Sequence, residues 1–481
     1  MDSAQRLPIV VDLDGTLTPT DTLLESLLKL LKTSPIALLN LPLWLLHGRA
    51  RFKASVTSRV SLSVEHLPLH GKLLAYLREQ KTLGRSIVLA TAAHVGIARA
   101  IGQHVGIFDK VIATAGDDNL KGEAKLRAIR EAVGNEFVYA GDSRADVPIW
   151  EAAKAAILVG VPSRLTRRIR RSVVVEREFP RRSVDLGAWA RAFRVHQWVK
   201  NCLLFVPALT AFSLSTSMLS QSIVAFVAFS LAASATYIVN DLLDLEADRA
   251  HPRKRTRPFA SAHLPIAHGL VVALVTLVIG CLLALAVSAA FFVMLLIYLG
   301  LTSAYSWTLK QYVVLDVLVL AILYTLRIFA GSVAIGVTTS SWLLAFSIFL
   351  FLSLALVKRC AELVTLHEQG TSTTRGRDYR VTDLAVLWPL GVAAAVSAIV
   401  VFGLFIVTPE TQARYASPQL LWLVGLGLIY WLTRLWIKTS RGEMHDDPIV
   451  YAAKDHGSRI LVLVIIAVVV VAHTVAFSWP L

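Results

Sequence analysis

Asp12 and Asp14 follow a short apolar run at residues 7–11, within the string DLDGT. Thr91 follows a second run at 86–90, and Asp142 and Asp146 follow another at 137–140, with Lys125 on the segment before it. Further strand-like runs lie at 110–114 and 156–160, and helical stretches separate them. Such alternation predicts an open, mostly parallel sheet, whose ligands bind beyond the carboxyl ends of the strands. Four carboxylates, one hydroxyl and one ammonium at that edge make a hard-cation site with donors for phosphate. Acids do not converge without a counter-cation, so Mg²⁺ is expected there.

A second set of acids ends an apolar stretch: Asp241, Asp244 and Asp248, spaced i, i+3, i+7, which places them on one face of a continuous helix. Carboxylates at the end of a membrane helix are costly unless they chelate cations. Arg253, Lys254, Arg255 and Arg257 follow directly. Acids for Mg²⁺ beside bases for phosphate suit a diphosphate substrate.

These two sets sit in different kinds of chain. Of the 481 residues, 55% are hydrophobic and 17% charged, against about 25% charged in soluble domains. Residues 1–190 hold 27 Lys/Arg and 19 Asp/Glu, an ordinary soluble composition. Beyond 190, apolar stretches of spanning length recur, at 200–214, 219–239, 267–288, 290–304, 313–335, 341–357, 384–407, 418–437 and 460–479. Nine spans with a cytoplasmic N-terminus leave sixteen Lys/Arg in the inner loops (240–262, 305–312, 358–382, 434–459) and one, Arg414, outside. The expectation is a multi-pass protein of the cytoplasmic membrane with residues 1–165 in the cytoplasm. No secretory signal is evident at the N-terminus. Three cysteines are too few for a disulfide framework.

The net charge of +15 points to an anionic partner. Residues 164–182 carry eight arginines. They read as part of a basic juxtamembrane linker, 166–192, resting on anionic lipid. A single aromatic residue, Phe179, falls among them, too few for a stacking platform, so a nucleic-acid partner is not expected.

The first set of motifs resembles the haloacid dehalogenase-type phosphatases over about residues 7–165. The resemblance implies Asp12 as nucleophile, Asp14 as acid/base, Thr91 and Lys125 as the second and third motif residues, and Asp142 and Asp146 in GDSRAD as metal-site carboxylates. Asp12 and Asp14 would share that Mg²⁺ site, and Lys121 rivals Lys125. Residues 20–80 resemble a small helical cap, with membrane contact an alternative for the apolar LLNLPLWLLHG.

The NDxxDxxxD element resembles the UbiA superfamily of intramembrane transferases, an all-α fold, over about 193–481. FRVHQWVKN (193–201), YSWTLK (305–310), the stretch from Asp316 to Arg327 and LVKRCAEL (356–363) resemble the branch that moves phosphoribose from phosphoribosyl diphosphate to a polyprenyl phosphate. A second aspartate motif has no close counterpart: Asp378 and Asp383 sit among Arg375, Arg377 and Arg380. The resemblance implies Mg²⁺ on Asp241, Asp244 and Asp248 with Asn240 in support, and donor phosphates on Lys254, Arg255, Arg257 and Lys310. Lys200, Arg327, Lys358 and Arg359 are candidates for the lipid phosphate; snorkelling to the interface is the alternative. Arg327 falls deep in a span, where a functional or paired role is expected. The competing readings are a prenyl transfer from prenyl diphosphate to an aromatic acceptor, with the first domain regulatory or acting on another phosphate ester.

Overall fold

A computed structural model of the chain describes residues 7–115, 119–180, 185–212, 215–370, 377–444 and 447–476. It divides into two compact units, one of residues 1–193 with 237–273, the other of 194–236 with 274–481.

The first unit is built on a sheet of six strands: β1 (Ile9–Val11), β2 (Ile87–His94), β3 (Lys110–Thr114), β4 (Val138–Gly141), β5 (Ala155–Val159) and β6 (Val174–Phe179). Their order is β3-β2-β1-β4-β5-β6, and every neighbouring pair is parallel. Side chains alternate between faces along a strand. Ile9 and Val11 accordingly enter one core with Leu89 and Ile101, while Val10 enters the other with Val88 and Trp150. Burial on both faces explains why the strands read as unbroken apolar runs. The chain leaves β1 for β2 on one side and returns to β4 on the other. That reversal opens a crevice at the carboxyl ends of β1 and β4.

The sheet corrects the reading of residues 166–192 as a linker. The helix Ser163–Ser172 buries Leu165, Thr166 and Ile169 and turns its arginines outward, and the next residues form β6 in register with β5. The first domain therefore runs past 165 to Phe179 at least. An edge strand tolerates the charges of VVEREF, which is why its sequence does not announce a strand. Arg168 pairs with Glu151, Arg170 with Glu178, and Arg177 lies over the Tyr76 ring. Arg181 and Arg182 lie outside the described residues.

Between β1 and β2 lie the helices Thr22–Thr33, Leu41–Leu46 and Arg49–Thr57. Asp21 caps the first by accepting from the Leu23 and Leu24 amides. Leu30, Phe52, Val56 and Val60 give this cap its own small core. In the apolar stretch Pro35–Leu46, Leu39 and Leu46 stay at least 80% exposed.

Among the described residues, eight helices are long and apolar enough to cross a membrane, one fewer than expected. The expected first span at 200–214 is instead an eleven-residue 3₁₀ helix, Val195–Phe205, leading into the short helix Val206–Ala211. Pro207 opens that short helix and Phe212, at φ +49°, closes it. The 3₁₀ backbone lies so close to Gly331 that a Cβ there would strike Leu204. The remaining spans fall on Thr216–Leu243, Ile266–Val287, Ala289–Trp307, Leu315–Ile335, Ser341–Glu368, Leu384–Ile406, Leu421–Ser440 and His456–Thr474. Ser341–Glu368 continues well past the expected end at 357, so Lys358 and Arg359 lie on a helix and not in a loop.

Candidate active sites

DLDGT turns sharply after β1. Gly15 has φ +79°, and a side chain there would collide with the Asp142 carboxylate, so the motif needs glycine for conformation and for space. Asp12 Oδ1 accepts from the Leu13 amide at 2.8 Å and from Lys125 Nζ at 2.7 Å. Lys125, buried on the helix Glu123–Val133, also donates to Tyr139 Oη at 2.6 Å, and Tyr139 donates to Asp146 Oδ1 at 2.8 Å. The other Asp146 oxygen accepts from the amides of Asp142 and Ser143 and from the Ser143 hydroxyl. Oxygens of Asp12, Asp142 and Asp146 lie within 4.8 Å of one another, the one such acidic group among the described residues. Burial pushes Asp12 above its usual range, Lys125 opposing it. Burial first, then Asp146 and Asp12, pushes Asp142 up to about 7. Three carboxylates facing one ammonium are short of positive charge, and they fit a hard divalent cation.

Asp14 does not join that group. Its carboxylate accepts from the Thr22 amide at 2.9 Å, and burial, with Asp21 adding to it, raises it to about 7. The arrangement suits proton transfer better than ligation by the carboxylate, and Asp14 stands apart from the three clustered acids. Thr91 is buried, its hydroxyl accepting from the Ala93 amide at 3.0 Å. Lys125 is the lysine at Asp12; Lys121 is exposed at the rim.

Asp12, Asp14, Thr91, Lys121, Lys125, Asp142 and Asp146 line one cavity of about 540 Å³, with Tyr139 buried behind it. Lys53 and Arg49 of the cap enter it too, and no motif spacing pointed to them. Lys53 donates to the Ala92 carbonyl at 2.5 Å and to Asn119 Oδ1 at 2.8 Å, and burial lowers its pKa. Tyr139 is a second omission, hidden in a strand that reads as core.

The aspartate element departs from one continuous helix. Thr216–Leu243 ends, Asp244 has φ −101° and ψ 14°, and Leu245–Ala250 begins. Asp241 and Asp248 still converge, both accepting from Arg257 Nη1 at 3.0 and 2.7 Å. Burial raises the Asp248 pKa while Arg257 lowers it. Asp244 turns elsewhere and pairs with Lys32 of the cap at 2.5 Å. Asp241 and Asp248 thus fit a shared cation, while the Asp244 carboxylate is turned to Lys32. Asn240 is half-buried beside them, and Lys254 and Arg255 are exposed on the 3₁₀ turn Lys254–Thr256.

In the second unit Lys200 and Lys358 meet on Asp447, at 2.8 and 3.1 Å. Burial works to raise Asp447, but Lys358 and Lys200 outweigh it and hold it well below the carboxylate range. Asp447 was missed in the sequence, although an Asp–Pro step opening the helix Pro448–Lys454 is a readable cap.

Residues 204–454 match the UbiA prenyltransferase family and residues 9–151 the haloacid dehalogenase-like hydrolases. An uncharacterized Sinorhizobium fredii protein, y4nM, is 40% identical over 94% of this chain and 89% of its own length. The chain belongs to the UbiA prenyltransferase family. The nodulation protein NoeC of Azorhizobium caulinodans is 34% identical over 58% of this chain and 91% of its own. The decaprenyl-phosphate phosphoribosyltransferase of Corynebacterium glutamicum is 35% identical over 46% of this chain and 69% of its own. The chain is an integral membrane protein that joins a UbiA-family domain to a haloacid dehalogenase-like one.

Within the UbiA-family domain two arginines expected to bind substrate are committed to the protein. Arg359 is wholly buried, with Nη2 2.5 Å from the equally buried Asp316, which also accepts from the Tyr379 hydroxyl. Arg327 donates to Asn201 Oδ1 at 3.0 Å, the Leu323 carbonyl at 2.5 Å and Tyr298 Oη at 3.0 Å, and lies over the rings of Tyr298 and Tyr324. This neutral nest satisfies the Arg327 charge deep in a span, as Asp316 and Glu362 satisfy that of Arg359, so both arginines are read as structural. Lys310 lies half-buried on the turn Leu309–Gln311. Arg375 falls outside the described residues. Arg359→Met is expected to destabilise the protein by about 3–5 kcal/mol, because Asp316 is left buried and unpaired. Thermal unfolding in detergent checks this; a variant of normal stability that has lost transfer would return Arg359 to substrate.

Proposed function

We propose that the UbiA-family domain transfers 5-phosphoribose from phosphoribosyl diphosphate to a polyprenyl phosphate, and that the attached hydrolase removes the 5-phosphate of the product. The observation that carries the first part is the likeness to the decaprenyl-phosphate phosphoribosyltransferase across 69% of that enzyme. The pairing of two lysines on Asp447 agrees with it, since an anion arriving there meets two cations held by one carboxylate.

Asp241 and Asp248 would hold Mg²⁺, which screens the donor diphosphate as it departs. Arg257, which now neutralises both carboxylates, would then be available to a donor phosphate, beside Lys254 and Arg255. The bond from ribose C1 to the diphosphate oxygen breaks as the lipid phosphate oxygen bonds to C1. Positioning and charge stabilisation drive such a step, so no protein nucleophile is needed. Lys200 and Lys358 are the candidates for the lipid phosphate. Membranes given labelled phosphoribosyl diphosphate should carry the label into the lipid fraction; label entering instead from a prenyl diphosphate would overturn this donor.

In the hydrolase, Asp12 would attack phosphorus while Asp14 protonates the departing ribose oxygen. Water then cleaves the aspartyl phosphate and releases inorganic phosphate. Asp12, Asp142 and Asp146 would hold Mg²⁺, which offsets charge on the phosphoryl oxygens alongside Lys125. A testable pH dependence follows. Asp14 and Asp142 have folded-state pKa values of about 7, above the ordinary 3.8. The folded state therefore binds more protons than the unfolded one between these values, and stability falls as pH rises through that window. In EDTA, the melting midpoint of this unit, followed by limited proteolysis, should drop between about pH 4 and pH 7 and then level off. Added Mg²⁺ should flatten the trend; a midpoint that rises with pH in EDTA contradicts it.

A further inference from the structure

The cavity that holds Asp12 is not closed by the hydrolase fold alone. Phe259, Ala262, Leu264, Pro265, Ile266 and Ala267 also line it. They follow directly on Arg257, and Ile266 and Ala267 begin the membrane-spanning helix Ile266–Val287.

One residue ties this stretch to the catalytic loop. Arg249 Nε donates to the Ala260 carbonyl at 3.0 Å, and its two terminal nitrogens donate to the Glu25 carboxylate at 2.8 and 2.7 Å. Both side chains are buried, Arg249 at 9% and Glu25 at 4% exposure. Glu25 accepts in turn from the Thr20 hydroxyl at 2.6 Å, the Thr20 carbonyl accepts from the Gly15 amide at 3.3 Å, and the Thr22 amide holds Asp14. A planar fork that satisfies a carboxylate bidentately fixes orientation as well as distance. Ala262 adds a strained point on the wall, at φ +52°. A non-glycine residue in that region persists only where its surroundings impose it.

The cavity therefore has a polar end, with Asp12, Lys125 and Lys53, and a largely apolar wall that runs into a membrane helix. We propose that residues 259–267 are the specificity wall of the hydrolase, set in place by Arg249 as a positioning residue, and select a phosphate monoester on a prenyl-linked headgroup over the same phosphate on a free sugar. This rests on the reading of Asp12 as a phosphatase nucleophile.

The test uses the full chain in detergent with three probes: p-nitrophenyl phosphate, ribose 5-phosphate and farnesyl-phosphoryl 5-phosphoribose. Wild type should favour the farnesyl probe over ribose 5-phosphate by about tenfold or more in kcat/KM, the scale of a few apolar contacts. Arg249→Met should bring that ratio to within about twofold of unity, mainly through KM for the farnesyl probe. Ala267 is exposed at the start of its helix, so Ala267→Trp should fold and reduce the ratio by crowding the wall. Equal use of both ribose probes by wild type would overturn the proposal, as would an unchanged ratio in Ala267→Trp. If wild type hydrolyses none of the three in an Asp12-dependent way, the phosphatase reading fails and this inference with it.

Discussion

Membranes carrying Asp12→Asn are expected to accumulate the 5-phosphorylated lipid, with its ratio to the dephosphorylated lipid raised on the order of 10³-fold or more. The variant removes the negative charge and nucleophilicity of the carboxylate that Lys125 holds at 2.7 Å and leaves the aspartate element intact. Transfer should continue, because its proposed groups do not include Asp12. Mass analysis of the lipid fraction reads both species at once. Identical ratios in wild type and variant would show that the hydrolase serves another phosphate ester, and the transferase reading would stand.

Asp241→Asn is expected to lower transfer by about 10²–10³-fold, the usual cost of losing one preorganised electrostatic group. Both lipids should then fall together. Asp244→Asn is the informative partner. A shared helix face would give the two acids equal weight, but Asp244 pairs with Lys32 while Asp241 shares Arg257 with Asp248. A loss of less than about tenfold is therefore expected for Asp244→Asn. Transfer measured at limiting Mg²⁺ decides between them. Equal, severe losses would mean that Asp244 leaves Lys32 to join the cation.

What the sequence disclosed follows from the range of the forces involved. Asp12 and Asp142 were legible because each follows a buried strand, and Thr91 because it lies within the apolar run of β2, a local pattern that also fixes where the side chain arrives. β6 was not, because charges that an edge strand tolerates mask its period. Tyr139 and Lys53 were invisible for opposite reasons. One looks like core, and the other lies on a cap helix whose position only tertiary packing sets. DLLDLEAD reads as one helix, yet the backbone breaks at Asp244, which takes the N-cap position of the next helix, a position that Asp favours but that the apolar spacing hides. The spans were found from composition, but composition could not distinguish a full helix from the 3₁₀ segment at Val195–Phe205. Arg359 pairs locally with the partly exposed Glu362, but its buried partner, Asp316, lies 43 residues earlier in the chain and is not visible in the sequence.

The apolar cluster that joins Leu28, Ala188 and Ala192 to Ile238, Leu242, Leu245, Phe259 and Leu264 bears on how such a protein can change over generations. The hydrolase is encoded first, but part of what packs against it is encoded in the middle of the transferase. A foreign hydrolase spliced in at residue 193 would leave Phe259 and Leu264 facing a surface they were not selected to meet. Recombination should therefore conserve the pairing of residues 1–193 with 237–273, and chimaeras should express only when both stretches come from the same parent.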